Sequence, residues 1–220
     1  MPQLDRHDDV YVLNLGDTEN RLHPDQIAAL NTLLDEIEKG PTPAALVTTA
    51  TGKHYSLGLD LDWLGEHPDQ RVAYAKSVHE LLARVLTLPM VTVAALQGHT
   101  FAGGAMLSLA HDLRVMRADR GFWCLPEADI GLPFTPGMSA LIQARLTPQA
   151  AHEAMITARR YGAEEATDLG IIDRAVSEDA VLSTAISLAQ AQASKAGHAL
   201  RMIKTRMYPS VLDALALSTI

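Results

Sequence analysis

The stretch Val91-Thr-Val-Ala-Ala-Leu96-Gln-Gly98-His-Thr-Phe-Ala-Gly103-Gly104-Ala-Met-Leu-Ser-Leu-Ala110 decides how the fold reads. Val91–Leu96 is a short apolar run, the pattern of a strand buried on both faces. After Gly98, the pair Gly103-Gly104 opens a run of small and apolar residues that reads as a helix to Ala110. Strand, glycine turn and helix in that order form one half of a βαβ unit.

Working outward, the same alternation recurs on both sides. Val10–Leu15 reads as a strand, and Pro24 opens a helix whose apolar face is Ile27, Leu30, Leu34 and Ile37, ending at Gly40. Ala44–Thr49 is another buried strand, followed by a polar loop over Thr51–Gly58 and a long helical pattern over Arg71–Leu88. Downstream, Leu113–Arg117 and Gly121–Cys124 read as strands, and Pro126–Gly137 reads as a Pro/Gly-rich loop. The character then changes. Met138–Leu146, the segment capped by Thr147, Ala163–Leu169, Ala180–Lys195 and His198–Met207 are helical patterns, with a single strand at Ile171–Val176. The expected fold class is α/β, with one principal domain over residues 1–195 and a short helical segment over 196–220.

Composition narrows the function. The chain has 220 residues, 48% hydrophobic and 20% charged, which suits a packed globular domain rather than a disordered chain. The net charge of −8 argues against nucleic acid as a partner, although a few local cations and backbone N–H groups could still hold a phosphate-bearing ligand. The longest apolar runs, Met90–Leu96 and Phe101–Ala110, fall far short of the roughly 20 residues a membrane-spanning helix needs. With no signal-like start, the expectation is a cytoplasmic protein without a membrane partner. Cys124 is the single cysteine, and the nine histidines form no ligand spacing, so neither a disulfide nor a metal site is expected.

Three segments can carry chemistry. Lys53-His-Tyr-Ser56-Leu57-Gly58-Leu59-Asp-Leu61 follows a buried strand and has a glycine that permits a tight turn. Gly103-Gly104 lies at a helix start, where free N–H groups point outward at the positive end of the dipole. Leu125-Pro-Glu127-Ala-Asp-Ile-Gly131-Leu132-Pro133 holds a carboxylate in a mostly apolar loop. Desolvation there would raise its pKa and make it a better base. Taken singly, Gly58 also fits an ordinary turn, the glycine pair fits close helix packing, and Glu127 fits a solvated loop acid.

Together, in order and spacing, these segments resemble the crotonase family of acyl-CoA enzymes. Tyr55-Ser-Leu-Gly-Leu-Asp-Leu61 resembles F-S-A-G-x-D-L, and Val93 to Ala105 resembles A-x-x-G-x-A-x-G-G-G. Ala110-His-Asp-Leu-Arg-Val115 resembles C-D-x-R-x-A, Phe122…Pro126-Glu127…Gly131-Leu132 resembles F-x-x-P-E-x-x-x-G-L, and Glu165 to Asp173 resembles E-A-x-x-x-G-L-V-D. The resemblance implies a spiral of ββα turns with a helical C-terminal layer, assembled as a homo-oligomer, a trimer or a dimer of trimers. It implies an acyl-CoA thioester as substrate, with no separate cofactor, and a place in fatty-acid β-oxidation. Glu127 would be the catalytic acid/base, and the backbone N–H groups of Leu59 and Gly104 an oxyanion hole. The CoA adenine would lie at Ser56 and Leu57, with Lys53 or Lys204 on its phosphates, and Leu107, Leu132 and Phe134 would line the acyl tunnel. The family's hydratases use a second glutamate, expected three residues after Gly104, where this chain has Leu107. One acid favours double-bond isomerisation, from 3-enoyl-CoA to 2-trans-enoyl-CoA. The alternatives are another crotonase reaction (hydration or thioester hydrolysis) and a non-catalytic binding member of the fold.

Overall fold

The computed structural model describes residues 1–217. Its frame is a six-stranded sheet in the order β1(Gln3–His7), β2(Val10–Asn14), β3(Ala45–Thr49), β5(Thr92–Leu96), β7(Leu113–Arg117), β9(Arg174–Val176). β1 pairs antiparallel with β2, and every other pair is parallel, with Val10 opposite Ala45, Val47 opposite Val93 and Ala95 opposite Val115. A second, smaller parallel sheet has the order β4(His54–Ser56), β6(His99–Phe101), β8(Trp123–Cys124).

The two sheets are laid down by a repeating walk. Each turn contributes one strand to the large sheet, the next strand to the small sheet, and then a helical segment. β3 and β4 lead to α2(Leu61–Glu66) and α3(Arg71–Leu86); β5 and β6 lead to α4(Gly103–Ala110); β7 and β8 lead to α5(Glu127–Ile130). This is the expected ββα spiral.

Alternation along the strands decides what packs on each face. Val10, Val12, Ala45, Val47, Val93, Ala95 and Val115 face α9(Val181–Gln190) through Val181, Ala185 and Ala189. Tyr11, Leu13, Leu46, Ala94, Leu96 and Met116 enter the larger core with α1(Pro24–Lys39), α3 and α4. α6(Pro136–Arg145), α7(Pro148–Thr157) and α8(Ala163–Asp168) follow, then α10(His198–Met207) and α11(Pro209–Ala216) beyond α9. Val211 and Leu215 of α11 sit in the same large core. Among the described residues no helix is long and apolar enough to cross a membrane.

Several sequence boundaries shift. The strand expected over Ile171–Val176 is only Arg174–Val176, because Ile171 and Ile172 are buried in the turn leaving α8. The helix expected over Ala180–Lys195 is α9 flanked by single 3-10 turns at Glu178–Ala180 and Ala193–Lys195. β1, β4 and β6 are absent from the sequence reading. β1 is mostly polar and exposed, and the other two are three-residue strands beside glycines, pairing with each other across about 45 residues of chain. The Pro126–Gly137 loop contains α5 and the start of α6.

Candidate active site

Between α2, α3 and the first turns of α4 and α5, at the edge of the small sheet, a cleft of about 340 Å³ opens. Its wall is mostly apolar: Leu57, Leu59, Leu64, Phe101, Met106 and Leu132 are among its lining residues. One buried carboxylate breaks that surface. Glu127 begins α5, is 5% exposed, and its Oε2 has no hydrogen-bond partner. Burial away from water disfavours its charged form, and its carboxyl is pushed up from 4.5 to about 7.

Two residues from different elements, Leu59 and Gly103, bring their backbones together at the cleft lining. Gly58 has φ +83°, so the chain turns sharply and presents Leu59. A Cβ on Gly58 would fall 2.3 Å from the Gly103 nitrogen, and one on Gly103 would fall 3.4 Å from the Leu59 nitrogen. The two backbones are therefore neighbours: a side chain on Gly58 would collide with Gly103, and one on Gly103 would press the two apart. Gly103 is the first residue of α4, and its N–H has no acceptor within the helix. Ala102 before it holds φ +51°, a conformation costly for a residue with a Cβ, and it aims the helix start into the cleft.

Residues 6–218 match the family model described as enoyl-CoA hydratase/isomerase. The chain belongs to this family, the crotonases. It is similar over its whole length to enoyl-CoA delta isomerase 2, peroxisomal, of Arabidopsis thaliana, with 36% identity, covering 100% of this chain and 97% of the relative. The crystal structure of a probable enoyl-CoA hydratase from Mycobacterium tuberculosis superposes with TM-score 0.90 at 30% identity, covering 97% of this chain and 91% of that one. Human mitochondrial delta3-delta2-enoyl-CoA isomerase superposes with TM-score 0.87 at 25% identity, covering 96% and 84%.

Within this crotonase frame the cleft brings together Glu127, Leu59, Leu57 and Leu132. Other expected site residues lie elsewhere. Gly104 does not line the cleft: it packs on Ser56, whose carbonyl oxygen would lie 2.4 Å from a Cβ at that position. The cleft-side glycine is Gly103. Ser56 is itself fully buried, with Oγ donating to the Asn20 carbonyl at 2.7 Å and accepting from Gly58 N–H at 3.1 Å, so it braces the loop from behind.

Leu107 also points away, into the core among Leu13, Leu34, Leu81 and Val85. Successive helix residues are about 100° apart, and the side chain that α4 turns toward the cleft is Met106. Phe134 packs against the large core rather than lining the cleft.

The two lysines are not cleft residues either. Lys204 is 4% exposed, with Nζ donating to the Met90 carbonyl at 2.7 Å and to Asp112 Oδ2 at 2.5 Å; it is a buried structural cation. Lys53 is exposed on the loop before β4, outside the cleft lining.

Sequence reasoning missed the cations that do line the cleft, Arg21 and Arg71. Arg21 is held by Glu19 and Asp62 at 2.7 and 2.8 Å, whereas no carboxylate among the described residues lies within 4 Å of Arg71. Neither sits in a motif, so nothing local marks them. Cys124 is buried, its Sγ lies 3.2 Å from the Ala158 carbonyl, and desolvation pushes the thiol up to about 11, which leaves it inert as a nucleophile.

Proposed function

We propose that this crotonase isomerises 3-enoyl-CoA thioesters to 2-trans-enoyl-CoA, with Glu127 as the proton shuttle and the N–H groups of Leu59 and Gly103 as the oxyanion hole. Glu127 removes a proton from C2, the thioester oxygen takes up the negative charge as the enolate forms, and the same carboxyl returns the proton at C4. Two donors aimed at that oxygen stabilise the charge where it develops, and the apolar wall keeps water from competing. The chemistry needs no metal or redox group; CoA enters as part of the substrate, and Arg21 and Arg71 are the cleft cations available to an anionic ligand.

The observation that carries this reading is that Glu127, the one buried carboxylate among the described residues, lines the same cleft as Leu59 and Gly103, with Met106 rather than a second acid on α4. Hydration calls for two groups to hold and deprotonate water; a double-bond shift calls for one. The enoyl-CoA delta isomerases of Arabidopsis thaliana, similar along the entire chain, support the same choice. The test is Glu127→Gln, assayed by the rise of 2-enoyl thioester absorbance from 3-hexenoyl-CoA. Loss of a sole base costs about 10²–10⁴-fold in kcat, with affinity for a saturated acyl-CoA unchanged. A variant keeping more than about a tenth of wild-type kcat overturns the assignment. For the assembly we propose a homotrimer or a dimer of trimers, which light scattering after gel filtration will distinguish from a monomer.

A further inference from the structure

We propose that Tyr74 is a positioning residue, which fixes the direction of the Leu59 N–H by clamping both peptide groups that flank Leu59. The inference rests on the oxyanion role given to that N–H above. Tyr74 lies on α3, 15 residues beyond Leu59 in the chain, and its ring lines the cleft. Its hydroxyl accepts from the Asp60 N–H at 2.8 Å and donates to the Leu22 carbonyl at 2.8 Å. Leu22 in turn donates its own N–H to the Gly58 carbonyl at 2.7 Å.

Those three bonds close a circuit around one residue. In a trans peptide, carbonyl and N–H point in opposite directions, so holding the Gly58 carbonyl against Leu22 sets where the Leu59 N–H points. The following peptide is held through the Asp60 N–H on the phenol oxygen. Gly58, with its positive φ and no Cβ, could otherwise let this peptide rotate. The phenol holds Leu22 as well as Asp60, so losing the hydroxyl releases one clamp and loosens the other. Burial pushes the phenol up to about 12, so it remains a donor across the working range and is no candidate for a second base.

A group that acts only by aiming a transition-state donor affects kcat and leaves substrate binding intact. Tyr74→Phe keeps the ring against the cleft and removes the hydroxyl. We expect kcat for 3-hexenoyl-CoA to fall about tenfold or more, within the 10²–10³-fold seen for deleting a donor outright, with KM unchanged within about threefold.

The discriminating measurement is the ratio of two affinities: that for acetoacetyl-CoA bound as its enolate, followed by its near-ultraviolet absorbance, and that for hexanoyl-CoA, which carries no developing charge. A merely structural defect lowers both affinities together and leaves the ratio where it was. A fall in the ratio of more than about threefold supports the clamp, and a smaller change overturns it. Tyr74→Met, an unbranched apolar side chain without a hydroxyl, must give the same ratio and serves if the phenylalanine variant is unstable. Wild-type protein that forms no enolate band overturns the oxyanion reading and this inference with it; a wild-type band with an unchanged ratio in the variants overturns this inference alone.

Discussion

At the scale of the residue, Glu127 shows how a site is made by withholding water. Its carboxyl is buried with one oxygen unpartnered, a state that disfavours ionisation in the fold but not in the unfolded chain. Two pH effects of opposite sense follow. In the base role proposed for it, Glu127 must be deprotonated, so kcat/KM should rise with pH through about 7 and level off above it. Stability moves the other way. Between 4.5 and about 7 the unfolded chain has lost this proton and the folded protein still holds it, so the fold loses stability as pH rises through that window. Glu127→Gln lacks this dependence. Relative to wild type, the variant should gain on the order of 2–3 kcal/mol between pH 4.5 and 8, read from urea denaturation at both values. A constant difference across that range would rule out the buried-acid account.

At the scale of the element, α4 does two jobs from two faces. Its first N–H opens on the cleft because Gly58 and Gly103 let two backbones touch, and its next turn sends Met106 to the cleft and Leu107 to the core. Gly103→Ala would set a methyl 3.2 Å from the Gly58 Cα and 3.4 Å from the Leu59 nitrogen. We expect a folded protein whose kcat drops by at least about tenfold as the two donors are forced apart; a rate within twofold of wild type would mean these amides are not the hole.

Met106 bears on reaction choice. Crotonyl-CoA hydration by the unmodified protein should run at least about 10²-fold slower than isomerisation, since one acid/base contribution is missing. Met106→Glu should raise hydration, and Leu107→Glu should only destabilise, because the latter buries a charge among Leu13, Leu34 and Leu81. Both reactions can be followed on one preparation; hydration matching isomerisation in wild type would favour a hydratase.

At the scale of the whole molecule, the C-terminal helices are tied to the spiral by polar as well as apolar contacts. Lys204 of α10 joins the Met90 carbonyl just before β5 to Asp112 just before β7, and Asp112 also accepts from the Thr92 N–H at 2.8 Å. Burial holds the Lys204 ammonium below its usual pKa, with Asp112 pulling the other way. Lys204→Ala leaves the half-buried Asp112 carboxylate without its counter-charge, and removing one partner of a charged hydrogen bond costs about 1–3 kcal/mol. The expected result is a clear loss in denaturation midpoint with KM for the acyl-CoA unchanged. A raised KM at full stability would return Lys204 to the phosphate role its sequence position suggested.

The alternation of buried strands and helices was legible in the sequence because apolar periodicity is local: Val10–Leu15, Ala44–Thr49 and Val91–Leu96 mark themselves as strands whatever lies around them. The linked motifs likewise carried the family, and they singled out Glu127 and Leu59, which the fold brings to one cleft. Three things waited for the tertiary structure. The short strands β4 and β6 exist only because they pair with each other and, through β6, with β8. The face that α4 turns to the cleft, Gly103 and Met106 rather than Gly104 and Leu107, depends on helix rotation about its own axis, which a one-residue ambiguity in a glycine run leaves open. The fate of each cation, Lys204 buried on Asp112 and Arg71 at the cleft, depends on which distant segment it meets. Composition and periodicity report how much a residue prefers burial; only the packed chain determines what it is buried against.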